Sequence, residues 1–261
     1  GNSFFGQGAG RANTAGQSNT FIGSNTGIAN TTANNNTFIG SAAGFSNTTG
    51  GPNTFVGVSA GQNNTTGTGN TFVGPTAGQA SSISNNITAV GYEAGLLNTV
   101  ADGTFIGSQA GRANTTGAGN TFVGRSVGVA NTTGGNNTFL GYSSGSSNTV
   151  GQQNTFLGWS AGFGNTTGNE NVYIGKDAGV NGTAGSSNTF VGVQAGPNNT
   201  ATGNSFYGQT AGQANTTGAS NTFVGQSAGQ SNTTGGNNVV IGQGAGAGVT
   251  APEPRRALRL A

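Results

Sequence analysis

Arg125, Tyr142, Trp159 and Lys176 follow one another at intervals of seventeen residues. Two aromatic rings flanked by two cations suit stacking against a sugar ring or a partner's surface. That chemistry needs an element that brings residues seventeen apart side by side. Without one, the four are scattered surface variation or packing between copies. Phe163 lies close by in sequence. Little else in the chain offers chemistry. There is no Cys, His or Met, which excludes thiol chemistry, disulfides and His or Cys metal sites. The acids Glu93, Asp102, Glu170, Asp177 and Glu253 are far apart, whereas general acid–base pairs need two groups placed together. Asp177 beside Lys176 is a lone pair of charges. No GK[ST] phosphate loop is present, and Asp is too rare for a calcium-binding repeat. We expect no catalysis and no cofactor.

The spacing belongs to a repeat. The stretch NTFVG at Asn53–Gly57 recurs at Asn70, Asn120, Asn188 and Asn221, with close variants between. Fifteen units begin at residues 2, 19, 36, 53, 70, 87, 103, 120, 137, 154, 171, 188, 204, 221 and 238. The step is 17 residues, and 16 from 87 to 103 and from 188 to 204. The consensus is N-T-F-[VIL]-G-x-x-A-G-x-x-N-T-T-G-x-x. Positions below are numbered from its first Asn. Several glycines and many β-branched residues per unit argue against helix. A unit this small cannot bury a core alone, so units must stack. The fold class expected is all-β: a β-solenoid of about fifteen 17-residue coils over residues 1–250, each coil holding two or three short strands. At about 4.8 Å per coil the rod would be about 70 Å long. Residues 251–261, with Pro252 and Pro254, form a tail that caps the solenoid or joins the next subunit.

Each position then becomes a ladder. Positions 5 and 9 are Gly in all fifteen units, as corners with positive φ or close backbone approach require. Position 8 is Ala in twelve, a tight interior spot, and position 12 is Asn in twelve, which can hydrogen-bond along the axis. Position 3 holds Phe21, Phe38, Phe55, Phe72, Phe105, Phe122, Phe139, Phe156, Tyr173, Phe190, Phe206 and Phe223, with Ala89 and Val240 as exceptions. Position 4 is apolar throughout: Ile22, Ile39, Val56, Val73, Ile106, Val123, Leu140, Leu157, Ile174, Val191, Val224 and the rest. Neighbours on a strand face opposite ways. We take position 3 as the core ladder and position 4 as an outer, self-association stripe, because so long an apolar stripe exceeds what monomers leave in water. The residues alone leave open which stripe faces inward, and position 4 could tuck inward at a corner. Units five to seven, with Ser81, Ile83, Ala89, Leu96 and Leu97, are the least regular and read as a bend or loosened joint.

The motif N-T-F-V-G-x-x-A-G-x-x-N-T-T-G, unbroken at residues 53–67, resembles repeats of bacterial and phage fibre proteins. It is also similar to the N-S-V-A-I-G repeats of trimeric autotransporter adhesin heads, whose period is shorter. The resemblance covers residues 2 to about 249. It implies a trimeric extracellular β-solenoid serving adhesion or a fibre shaft, although these residues include no chaperone domain, stalk or anchor. The expected partner is the chain itself, as a trimer or a head-to-tail filament through uncapped ends, with surface glycans as a second candidate. Up to residue 250 four basic residues balance four acidic ones, which speaks against nucleic acid. No run approaches the roughly 20 apolar residues of a membrane helix, so no membrane insertion is expected. The rival reading is an ice-binding solenoid. Thr occupies position 2 in eleven units and position 13 in fourteen, but the residue two after position 2 is Val, Ile or Leu in place of a second Thr. Finally, Asn30, Asn47, Asn64, Asn114, Asn131, Asn165, Asn215 and Asn232 begin Asn-Thr-Thr glycosylation sequons. Stacking explains these Asn more simply, and outward threonines at position 13, such as Thr48 and Thr65, could carry O-linked sugar.

Overall fold

The computed structural model describes residues 1–246; the tail 251–261 lies outside them. The fold is an all-β solenoid with one parallel strand per coil. No helix of the described residues is long and apolar enough to cross a membrane. The chain divides into two compact units, Gly1–Thr133 and Gly134–Ala261. The first holds β1 (Ser3–Phe5), β2 (Thr20–Ile22), β3 (Thr37–Ile39), β4 (Thr54–Val56), β5 (Thr71–Val73), β6 (Thr88–Val90), β7 (Thr104–Ile106) and β8 (Thr121–Val123). The second holds β9 (Thr138–Leu140), β10 (Thr155–Leu157), β11 (Val172–Ile174), β12 (Thr189–Val191), β13 (Ser205–Tyr207), β14 (Thr222–Val224) and β15 (Val239–Ile241). Within each unit the strands pair in sequence order and in register, Phe38 beside Phe55 and Phe156 beside Tyr173.

The expectation of two or three strands per coil is corrected to one, covering positions 2–4. The reason lies in the backbone. Coil four has left-handed φ at Gly57 (139°), Ser59 (56°), Gly61 (56°) and Gly69 (69°), and beyond Gly61 the N–H groups of Gln62 and Asn64 turn back to Ser59 and Gly61 while those of Thr65 and Thr66 share the Ser82 carbonyl, so no second ladder runs on. The remaining backbone still bonds from coil to coil, as in Gly61 N–H to the Ala77 carbonyl at 2.9 Å. At position 5 a Cβ on Gly57 would lie 2.5 Å from the Gly74 carbonyl oxygen. At position 9 a Cβ on Gly61 would lie 2.6 Å from the Phe55 ring. Both glycines are therefore fixed by close approach as well as by φ.

The core is a file of rings. Phe4, Phe21, Phe38, Phe55 and Phe72 stack with centroids 4.7–4.9 Å apart and planes within 10°. In the second unit Phe139, Phe156, Tyr173, Phe190, Phe206 and Phe223 stack at 4.7–4.8 Å. Burying each such ring stabilises by about 1.5–3 kcal/mol. The Tyr173 hydroxyl is bonded to the Asn188 side chain, yet burial still pushes its pKa well above the ordinary value. Coil six, read from sequence as a joint, keeps its strand register, with Ala89 beside Phe72 and Phe105. The missing ring is filled from coil seven. Phe105 leans against Gly95 of coil six and stands at 61° to Phe122. Ile87 and Gly103 replace Asn at position 1 around the same spot, and a side chain at Gly103 would strike the turned Phe105.

Two buried Asn ladders flank the rings. Where consecutive coils both carry Asn at position 12, the amide nitrogen donates to the side-chain oxygen one coil earlier, as in Asn64 to Asn47 at 2.7 Å. It also donates to its own position-15 carbonyl, Asn64 to Gly67 at 3.2 Å. Position 1 forms a second ladder. Asn36 Oδ1 accepts from the Asn53 backbone N–H at 2.8 Å, while Asn36 Nδ2 donates to the Gly50 carbonyl at 2.9 Å. Where position 12 changes to Ser81 or Gly182, Asn64 Oδ1 and Asn165 Oδ1 have no partner. Both 16-residue coils are shortened after position 13. There Asn98 and Asn199 reach Val100 and Ala201 carbonyls, two residues on, where other coils use the residue three on. Strand register is untouched: Thr88 pairs with Thr104, and Thr189 with Ser205.

Candidate interaction face

Each strand turns position 3 inward and positions 2 and 4 outward. All twelve core-ladder residues named above are buried, between 0 and 1% exposed. At position 4, the stripe expected to self-associate, Ile22, Ile39, Ile106, Leu140, Leu157 and Val224 are exposed, with Ile39 at 37% and Leu140 at 44%. Val56, Val73, Val123, Ile174 and Val191 are half-buried. The choice left open by sequence is thereby settled, and position 4 does not tuck into the core. The outer face of each unit carries an aliphatic row beside a row of position-2 threonines. Among the described residues no position-2 Thr hydroxyl is hydrogen-bonded within the chain. Position-13 hydroxyls are engaged: Thr48 Oγ1 donates to the Thr65 carbonyl at 3.1 Å, and Thr65 Oγ1 to that of Ser82 at 3.0 Å. The next residues, Thr49 and Thr66, are exposed.

The position-6 cluster is brought together in its second-unit part. Tyr142 and Trp159 meet edge to face with centroids 6.3 Å apart. The Lys176 ammonium sits 4.6 Å from the Trp159 ring centroid, with the Asp177 carboxylate 4.0 Å away. Arg125 is an exposed residue of the first unit. Phe163, at position 10, is also exposed.

A polar cluster escaped the sequence reading. Glu93 accepts hydrogen bonds from Gln109 Nε2 at 2.9 Å and Arg112 Nε at 2.7 Å. The Gln109 bond chiefly, then Tyr92 and Arg112, hold its carboxyl below the usual range, while the bond to Glu93 raises the Tyr92 phenol. The signal was present in the spacing: position 7 of one coil lies beside positions 7 and 10 of the next. The sequon Asn residues are buried, with their amide nitrogens inside the ladder, so folded coils give no access to them. The described residues contain no group of three acids placed to hold a metal. No protein-family model, curated protein or solved structure matches the chain.

Proposed function

We propose that this chain is an extracellular structural fibre or adhesin subunit that self-associates through the outer faces of its coils, without catalysis. The observation that carries the reading is the exposed position-4 row. Aliphatic side chains stand outside the core coil after coil, in a chain whose core is already complete with position 3. Such a surface is stabilised when a partner covers it. Placement outside the cell rests on the resemblance to fibre and adhesin repeats, as does a trimer. Sedimentation velocity and electron microscopy of the purified protein test the proposal. Trimers or filaments at micromolar concentration are expected, and a chain that stays monomeric refutes it.

One observation favours ice binding as the second reading. The position-2 hydroxyls, unused within the chain, share a face with the position-4 methyls, whereas position-13 hydroxyls are consumed by the ladder. Inhibition of ice recrystallisation by a monomeric protein would establish it in place of the fibre.

A further inference from the structure

We infer that coils nine and ten, in the second unit, carry the strongest contact of the self-association face, and that a second copy of this chain occupies it. The inference rests on the self-association reading and adds a place and a partner.

Leu140 and Tyr142, then Leu157 and Trp159, are exposed by 44, 49, 40 and 53%. Only Gly141 and Gly158 separate them along the chain. The aromatic pair is therefore next to the aliphatic row. The indole of Trp159 has two neighbours, Tyr142 at 78° to its plane and the Lys176 ammonium 4.6 Å from its centroid. Lys176 in turn lies near Asp177. A sugar needs an open aromatic face for stacking, and the Lys176 ammonium already stands over this indole. It presents a rim, fixed in place before any partner arrives. Fixed, half-exposed Trp and Tyr beside aliphatic residues are what interface hot spots are made of.

The size of the patch points to the occupant. With roughly 150–250 Å² on each aromatic side chain, the four half-exposed residues offer about 300–400 Å². A stable interface buries about 800 Å² on each side. A partner must therefore continue along the position-4 row, past Ile174 and Val191. It stays in phase with that row only if its own side chains repeat at the coil spacing, which the ring stack sets at 4.7–4.8 Å. Another copy's row has that spacing. The neutral balance of the repeat and the Lys176–Asp177 neighbourhood leave no charge repulsion to oppose it.

Trp159 is the sole tryptophan, so its emission reports this spot. We expect emission to shift to the blue with rising concentration, in step with association measured by sedimentation. Tyr142→Ala and Trp159→Ala should weaken association roughly 30-fold or more, as loss of a hot spot does. Val56→Ser, on the first unit's row, should weaken it only a few-fold. Circular dichroism checks that each variant is folded. If the protein associates while Trp159 emission stays fixed and Trp159→Ala is without effect, this inference falls and the fibre reading stands. If the wild type stays monomeric, both fall. An emission shift on adding chitotriose or maltoheptaose to monomer would replace the second copy with a glycan.

Discussion

Exchange of Ser81 and Ser84 for the consensus pair should repair the coil-five break. Asn64 Oδ1 is buried without a donor because position 12 of the next coil is Ser81. Three residues on, Ser84 Oγ is also buried without a partner. The two are linked by geometry. In coil four a Cβ at position 15 would run into the oxygen of its own position-12 Asn, Gly67 against Asn64. Coil two nevertheless keeps Asn30 beside Ala33, with its ladder bond to Asn13 at 2.8 Å and its bond to the Ala33 carbonyl stretched to 3.4 Å, so Ser84→Gly eases Ser81→Asn without being required for it. An unsatisfied buried polar atom costs about 1–3 kcal/mol, so two cost about 2–6. Against this stand the lost Ser81 Oγ bond to the Asn98 carbonyl, worth about 1 kcal/mol, and ordering of the new Asn, about 1 kcal/mol. The added glycine costs about 0.5–1 kcal/mol more. At the middle of these ranges the double variant should gain about 1 kcal/mol, with Ser81→Asn alone near neutral. Because long repeat arrays can depart from two-state unfolding, hydrogen exchange at coil-four and coil-five amides is the assay, with the denaturation midpoint beside it. A double variant no better protected than wild type would refute the reasoning.

Removing a ring from the second-unit stack, Phe156→Ala, should cost about 3–5 kcal/mol, read as lost exchange protection in coils nine to eleven. Thr76 is β-branched at φ 56°, a conformation that Asn tolerates far better. Thr76→Asn should raise the melting temperature, with a gain of about 0.5–1 kcal/mol. The lowered Glu93 pKa fixes a sign: its contribution is complete above the ordinary carboxylate value of 4.5 and is lost as pH falls through the lowered one. Glu93→Gln should flatten the acid limb of coil-six exchange protection. The effect will be small, since the pair faces solvent.

The period, the inward Phe file and the position-12 ladder were legible because each depends on one residue type recurring at one phase. Position 1 was equally legible, with Asn in thirteen units, but it sits at the start of a strand and reads as a turn residue. Its use as an acceptor for the next coil's backbone has no compositional mark of its own. The strand count was overestimated for a related reason. Position 7 adopts left-handed φ with Ser, Thr, Gln, Glu and Asp alike, so sequence does not announce the turn. At coil six, Ala89 stood out in the sequence as a lone defect, whereas the turned Phe105 joins it to Ile87 and Gly103 as one exchange. For the candidate site, the seventeen-residue spacing showed that Tyr142, Trp159 and Lys176 are neighbours. That Lys176 would cover the indole is a matter of rotamers.

Every Asn-to-Asn bond at position 12 points one way, from a coil to the one before it. Amides aligned head to tail polarise one another and add their dipoles, as peptide units do along a helix. In the first unit the run from Asn13 to Asn64 behaves as one small electret, ending on a bare oxygen at the Ser81 break. Asn98, Asn114 and Asn131 are linked in the same way, as are Asn148 and Asn165, and Asn199, Asn215 and Asn232. The breaks divide the polarity of the solenoid into short blocks, so that no single stack accumulates a large field at its end.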